Sequence, residues 1–142
     1  MKSILILGVG GTGSRAANLL QKKIDRIGRQ EDVKIVTVVF DTNAADEKNI
    51  DSASVISLSE NATVGMVRNR LGKQCDEWFP SSRKYDENNL SIGAGQWRKQ
   101  SYLAFLNAMN DGIRRGELDN ALQRLADQTQ ASFSVRSIPS PL

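Results

Sequence analysis

The chain contains no histidine and a single cysteine, Cys75, among its 142 residues. Histidine is the commonest general base in enzymes and the commonest protein ligand of zinc. Serine-hydrolase triads, cysteine–histidine pairs and most zinc sites therefore cannot be assembled from this chain. One cysteine cannot form an internal disulfide, and the apolar spacing around Cys75 predicts an inert core thiol. Any chemistry must rely on carboxylates, backbone amides and bound ions.

Long apolar runs are also missing, and the first apolar run stops at Gly8. Neither a signal peptide nor a membrane-spanning segment is predicted, so we expect a cytoplasmic protein that does not contact a membrane. The net charge is only +3, and 6% of the residues are aromatic. The basic clusters near Arg68 and at Arg114 and Arg115 lack interleaved aromatic residues for base stacking. They predict solvated helix faces rather than a nucleic-acid surface.

What the chain does contain is a glycine-rich turn directly after a short apolar run. Residues Ile4 to Leu7 are apolar, and the sequence continues as Gly8-Val9-Gly10-Gly11-Thr12-Gly13-Ser14. A buried strand that leads through such a turn into a helix presents unpaired backbone N–H groups and the positive end of the helix dipole to an anion. The Gly-x-Gly-x-x-Gly spacing in this context predicts a site for a mononucleotide or a dinucleotide.

The positions of this turn have different expected roles. Gly8 is expected to permit a tight exit from the strand, and Gly13 to let the helix pack closely on the sheet. Gly10 and Gly11 lack side chains that would hold a phosphate away from the backbone amides. Two hydroxyl donors, on Thr12 and Ser14, are expected to point into the same pocket.

The first half of the chain alternates between helical and strand patterns. A helix is expected after the turn, with Gly28 as its stop and an apolar stripe formed by Ala16, Ala17, Leu20, Ile24 and Ile27. The run Val33 to Phe40 is rich in β-branched residues and almost continuously apolar, which is typical of a parallel strand covered on both faces. Asp41 follows at the carboxyl end of that strand, where open α/β sheets bind ligands.

The second half repeats this logic. A strand from Ser54 to Leu58 is expected, then a helix that ends before Pro80, with a face formed by Val64, Val67, Leu71, Cys75 and Trp78. A second glycine-rich turn, Gly93-Ala94-Gly95-Gln96, precedes a helix with Tyr102, Phe105, Leu106 and Met109 on one face. At its start, Arg98 and Lys99 could supply charge to a terminal phosphate.

The remaining sequence predicts a final helix from Leu118 to Ala126 and a weakly structured tail over 127–142, in which Phe133 and Val135 indicate only a weak strand. Residues 1–142 are too few for two ordinary cores, so a single domain is expected. The fold class is α/β, a three-layer Rossmann-like domain with a mainly parallel sheet.

Three segments together resemble the first three nucleotide-contacting loops of the tubulin/FtsZ superfamily, especially its bacterial tubulin-like members. They are Gly8 to Ser14, then Phe40-Asp41-Thr42-Asn43-Ala44, then Ile92-Gly93-Ala94-Gly95-Gln96. The resemblance implies that the first loop contacts phosphate and base and that the third closes over the terminal phosphate. It implies that the second loop places Asp41 and Asn43 near the nucleotide and its metal. The implied ligand is GTP or GDP, with Mg²⁺ bound through the nucleotide and water, in a filament-forming cytoskeletal protein.

The sequence also departs from the family pattern. A second phosphate loop of the form GGGTGSG, the guanine-reading residues, the central helix and the catalytic acidic loop would follow the final predicted helix, and they are not among these residues. The chain is therefore expected to be the N-terminal part of an incomplete domain that binds GTP without appreciable turnover, although the family implies a GTPase. No catalytic residue and no metal ligand is assigned. An incomplete sheet would expose an apolar edge, which predicts self-association or poor order near the tail.

Other classes of protein remain open on the residues alone. A Rossmann domain for NAD or FAD would use the same first turn with Asp41 on a ribose hydroxyl, but it would not explain the second glycine-rich turn. An adenylating enzyme of the ubiquitin-activating type also carries GxGGxGS, but its catalytic Asp and its Arg or Lys are not identifiable here. A P-loop kinase or GTPase is disfavoured, because Ser14 and Arg15 stand where that motif needs Lys and Ser or Thr. A non-catalytic, nucleotide-responsive interaction or filament module completes the alternatives.

Overall fold

The computed structural model describes residues 2–28, 31–93 and 97–127. Three strands, β1 (Lys2–Val9), β2 (Val33–Asp41) and β3 (Ser54–Ser57), form one sheet in the order β1-β2-β3, and both pairings are parallel. The helices in the described ranges are α1 (Gly10–Ile27), α2 (Ala44–Glu47), α3 (Val64–Leu71), α4 (Lys73–Asp76), α5 (Arg98–Asn110) and α6 (Gly112–Asp127). The predicted α/β class with a parallel sheet is confirmed.

Helices cover both faces of this sheet. Successive residues of a strand point to opposite faces. On one face, the Thr37 hydroxyl of β2 donates to the Gln21 side chain of α1 (2.6 Å). On the other, the Phe40 ring of β2 meets the Phe105 ring of α5 edge to face, with centroids 6.0 Å apart. Helix α6 packs against all three strands, so the predicted three-layer arrangement is confirmed.

The two long strands differ in how well they are covered. Residues Val36 to Asp41 of β2 are all buried, as predicted for a central parallel strand. In β1, by contrast, Ile4, Leu7 and Val9 are 44%, 54% and 67% exposed. Within the described ranges β1 is one of the two edge strands, and a largely apolar groove of about 610 Å³ lies between its side chains and those of α5 and α6. The expected apolar edge is therefore present in this part of the chain.

Two helix predictions need correction. The helix expected to run from Val64 to Trp78 is two helices, because Gly72 adopts φ 55° and ψ −124° between α3 and α4. Leu71 and Cys75, on either side of the break, are both buried. The helical spacing of apolar residues therefore continues across Gly72, which explains why the sequence predicts a single helix. The last helix begins at Gly112, six residues before the predicted start at Leu118.

The apolar stripe predicted on α1 is only partly buried. Leu20 is 45% and Ile27 66% exposed, because α1 packs mainly against β1 and β2 and β1 lies at the edge. Gly28 ends the helix as predicted, with φ 87° and its N–H donating to the Ile24 carbonyl (3.1 Å). The predicted strand from Ser54 ends at Ser57, one residue early.

An aromatic cluster fixes the beginning of α5. The Trp97 ring, which directly precedes the helix, lies between those of Tyr85 and Phe79, with centroids 4.1 and 5.4 Å away. None of the described helices is long and apolar enough to cross a membrane. The expected weak strand at Phe133 and Val135, like the rest of 128–142, lies outside the described residues.

Candidate functional site

The first glycine-rich turn delivers β1 directly into α1. Gly10 is the first helical residue, with φ 72°, a left-handed conformation that strains any residue with a side chain. Val9, at the N-cap, offers no side-chain hydrogen bond, and the first turn of α1 contains no acidic residue. The amides of that turn thus have no local side-chain acceptor, which is the arrangement found at helix N-termini that bind anions.

The roles of Gly8, Gly10 and Gly13 in the structure differ from those predicted. A Cβ on Gly8 would lie 2.7 Å from both the Ala17 Cβ and the Gly13 carbonyl oxygen, so it is Gly8 that the close packing of α1 on β1 requires. A Cβ on Gly13 would meet only ordinary contacts, the nearest at 3.7 Å. The tight change of direction between β1 and α1 comes from Gly10. A Cβ on Gly10 would meet no atom within 4 Å.

The two predicted hydroxyl donors are placed differently. Thr12 is exposed, whereas Ser14 is only 1% exposed and donates its hydroxyl to the Phe40 carbonyl (3.4 Å). In this structure the Ser14 hydroxyl therefore joins α1 to β2 rather than pointing into the pocket.

Asp41 lies where the sequence predicts, at the carboxyl end of β2, and it is only 3% exposed. One carboxylate oxygen, Oδ1, accepts from the Asn43 N–H (3.0 Å). The other, Oδ2, is buried without a hydrogen-bond partner among the described residues. A buried carboxylate oxygen without a donor is unfavourable, so this atom indicates a place where a ligand or a hydrated cation would complete the site.

The second and third predicted loops lie side by side. Asn43 forms an isolated antiparallel bridge with Ile92, and the Ala44 N–H donates to the Ser91 carbonyl (3.2 Å). Gly93 has φ 89°, and a Cβ on it would lie 3.4 Å from the Asn43 Cβ. The Asn43 side chain itself caps α2 by accepting from the Ala45 N–H (3.0 Å). Ala94, Gly95 and Gln96, predicted to contact the nucleotide, lie outside the described residues.

The first and second loops are joined as well. Arg15, in the first turns of α1, forms an ion pair with Asp46 of α2, with Nη2 and Oδ1 3.3 Å apart. The structure thus brings together the described parts of all three predicted segments at the carboxyl edge of β1 and β2.

Several residues of this region were not singled out from the sequence. Asp46 and Glu47 lie in α2, and the Ser57 hydroxyl donates to the Glu47 carboxylate (2.8 Å). Burial, together with the negative charge of Asp41, raises the pKa of Glu47 although the Ser57 hydrogen bond opposes the shift. Gln100, 3% exposed, donates to the Gly93 carbonyl (3.3 Å) and accepts from Asn88 (3.2 Å). Gln100 precedes the buried Leu103, Ala104 and Asn107 at helical spacing, so all four residues share one face of α5. That spacing is the signal that could have identified Gln100.

The described residues fit a magnesium ion held mainly through water and nucleotide oxygens. No group of three or more His, Cys, Asp or Glu side chains among them is arranged to hold a metal directly. Asp41 Oδ2 lacks a donor, and the carboxylates of Asp46 and Glu47 belong to the adjacent α2. Carboxylate oxygens that accept from coordinated water are what such a hydrated ion requires.

A second polar cluster lies beyond the carboxyl end of β3. The Glu60 carboxylate accepts from Arg70 (2.8 Å), Arg114 (3.2 Å) and Asn107 (2.5 Å), beside a cavity of about 460 Å³. Burial would raise the pKa of Glu60, but these hydrogen bonds outweigh it and lower the pKa. Arg114 also pairs with Asp111 (2.7 Å), so the charges of this cluster are satisfied internally.

Comparison with known proteins adds one positive finding. A family model described as tubulin-like matches residues 5–139. Searches of curated proteins and of solved structures gave no match.

Proposed function

Since the chain belongs to the tubulin-like family, we propose that it binds a guanine nucleotide, GTP or GDP, at the carboxyl edge of β1 and β2. The observation that carries the proposal is the convergence there of an uncapped helix N-terminus with two neighbouring loops. Backbone amides of α1 would take the phosphates, as anion-binding helix termini do. Asp41 and the acidic residues of α2 would accept from the water shell of Mg²⁺.

The second glycine-rich turn favours this ligand over a dinucleotide. In a Rossmann domain for NAD or FAD, the acid after the second strand reaches a ribose hydroxyl, and the first glycine turn completes the site. Here the loop that follows Asp41 forms a bridge between Asn43 and Ile92, directly before Gly93 of the second turn. A dinucleotide site would not explain this second turn, so the interpretation as an NAD or FAD site is the weaker one.

The expected role of the chain is binding rather than turnover. Phosphoryl transfer depends on positioning water in line with the terminal phosphate and on stabilising its charge. These residues include no GGGTGSG loop and no histidine that could act as a base. We also propose that the exposed apolar residues of β1 mediate self-association, since contiguous apolar surface on a sheet edge favours association.

A substitution at Gly11 tests the nucleotide site. Gly11 lies in the first turn of α1, where phosphate would approach, and a Cβ there would lie 3.1 Å from the flexible Asp46 side chain. We expect Gly11→Val to lower GTP affinity at least tenfold while shifting the unfolding temperature little. Gly116→Val in α6, whose Cβ would meet nothing within 4 Å, is the matched control.

The measurement is a thermal-shift screen of GTP, GDP, ATP, NAD and FAD on the parent chain and both variants. Stabilisation by GTP and GDP that Gly11→Val loses and Gly116→Val keeps is the expected result. A Gly11→Val variant that binds GTP as well as the parent does would show that the loop is wrongly assigned.

A further inference from the structure

An acidic side chain lies over the glycine turn that the proposed function assigns to phosphate. The Asp46 Oδ2 atom is 3.1 Å from the position that a Cβ on Gly11 would take. The Arg15 Nη2 atom is 3.9 Å from that same position and 3.3 Å from Asp46 Oδ1. One negative and one positive side chain therefore flank the space above Gly11.

This arrangement is unusual for an anion site, because a carboxylate beside a phosphate repels it. Two things relieve that repulsion: a cation between the two anions, or the neighbouring guanidinium. The Arg15 side chain is 66% and the Asp46 side chain 27% exposed. An ion pair this accessible to water contributes little to stability, so its members can exchange partners without unfolding the site.

We propose that Asp46 is a specificity-determining residue that makes the site discriminate against metal-free nucleotide, with Arg15 as its exchangeable counter-charge. In the empty site Arg15 neutralises Asp46. When magnesium nucleotide binds, the hydrated cation takes over the neutralisation of Asp46, and Arg15 becomes free to face the phosphates. This inference rests on the proposed guanine-nucleotide site and adds to it a residue that opposes the binding of nucleotide without magnesium.

A double-mutant cycle with Asp46→Asn, Arg15→Gln and both changes together tests the proposal. GTP affinity is measured by calorimetry in EDTA and again in excess MgCl₂. We expect Asp46→Asn to strengthen binding of metal-free GTP about three- to tenfold and to change binding in magnesium less than about twofold. Arg15→Gln should weaken metal-free binding by about threefold or more, and much less once Asp46 has also been replaced.

Asp25→Asn is the matched control, because it removes the same charge near the far end of α1, where Asp25 contacts Gln21. Thermal unfolding without nucleotide checks that all variants fold. Raising the salt concentration should shrink the effect of Asp46→Asn on metal-free binding, since exposed charges are screened.

The outcomes separate this inference from the proposed function. If the parent binds GTP but Asp46→Asn behaves as Asp25→Asn does, or weakens binding equally with and without magnesium, the role of Asp46 is wrong and the site stands. If the parent binds no guanine nucleotide under either condition, both the site and the role of Asp46 are overturned.

Discussion

Two clusters of charged side chains lie beyond the carboxyl ends of the strands, and they differ in whether their groups already have partners. Around Glu60, carboxylate oxygens and guanidinium groups are matched by one another and by Asn107. Around the glycine turn, the first turn of α1 has no side-chain cap and Asp41 Oδ2 has no partner among the described residues. Groups that satisfy one another hold a fold together, whereas groups left without partners indicate a ligand.

The largest expected effect breaks the satisfied cluster. Glu60→Ala would remove one of the two carboxylates that pair with Arg114, whose side chain is only 14% exposed, and would remove the acceptor of the buried Asn107 amide. We expect a loss of about 2 kcal/mol in the free energy of unfolding, because a buried amide donor is left without an acceptor and Arg114 keeps only Asp111 as a counter-charge. Denaturant unfolding measures this, and GTP affinity should stay as in the parent. A variant that keeps its stability but loses GTP binding would place the ligand at Glu60 instead.

The opposite behaviour is expected at Asp41. Asp41→Asn keeps the oxygen that accepts from the Asn43 N–H and removes a buried charge with an unpartnered oxygen. The free energy of unfolding should therefore fall by no more than about 1 kcal/mol, while the magnesium dependence of nucleotide binding weakens. Magnesium titrations of GTP binding by the parent and the variant make the comparison. The same magnesium titration for the parent and the variant would show that Asp41 has no role in nucleotide binding.

These two residues also show what the sequence could and could not reveal. Asp41 was predictable because an acidic residue after a continuous β-branched run marks the carboxyl end of a buried strand. The partners of Glu60 are far away along the chain, with Asn107 and Arg114 contributed by different helices, so no spacing pattern connects them. The fold class could be predicted because the spacing of apolar residues within each segment shows whether it is a helix or a strand and which of its faces is buried.

The glycine turn was predictable as a motif but not in its details. Gly8 has the packing role expected of Gly13, and Gly10 makes the tight turn expected of Gly8, because the spacing does not show which carbonyl oxygen faces a missing Cβ. Gly72 looked compatible with a continuous helix, since Leu71 and Cys75 stay buried across the break. Asp46 was not singled out, because only the folded chain brings it close to Gly11.

The smallest expected effect is a contrast in pH dependence. The pKa of Glu47 is raised above its ordinary value of 4.5, so its contribution to stability is complete below pH 4.5 and is lost as the pH rises through the raised value. Glu47→Gln should therefore gain stability relative to the parent as the pH increases. The pKa of Glu60 is lowered from 4.5, so its carboxylate stabilises the parent above that pH. The free energy of unfolding that Glu60→Gln loses relative to the parent should therefore become smaller as the pH falls below 4.5. Denaturant unfolding at several pH values measures both trends, and parallel curves for the two variants would contradict the contrast.

The most direct test of the distinction between the two clusters is a map of amide chemical shifts in the ¹⁵N-labelled chain, recorded as GTP and magnesium are added. We expect perturbations in the first turn of α1, from Asp41 to Glu47 and at Ser91 to Gly93. The amide chemical shifts of Glu60, Arg70, Asn107 and Arg114 should not change. Perturbations centred on Glu60 and its partners, with none in the glycine turn, would contradict the assignment of the nucleotide site.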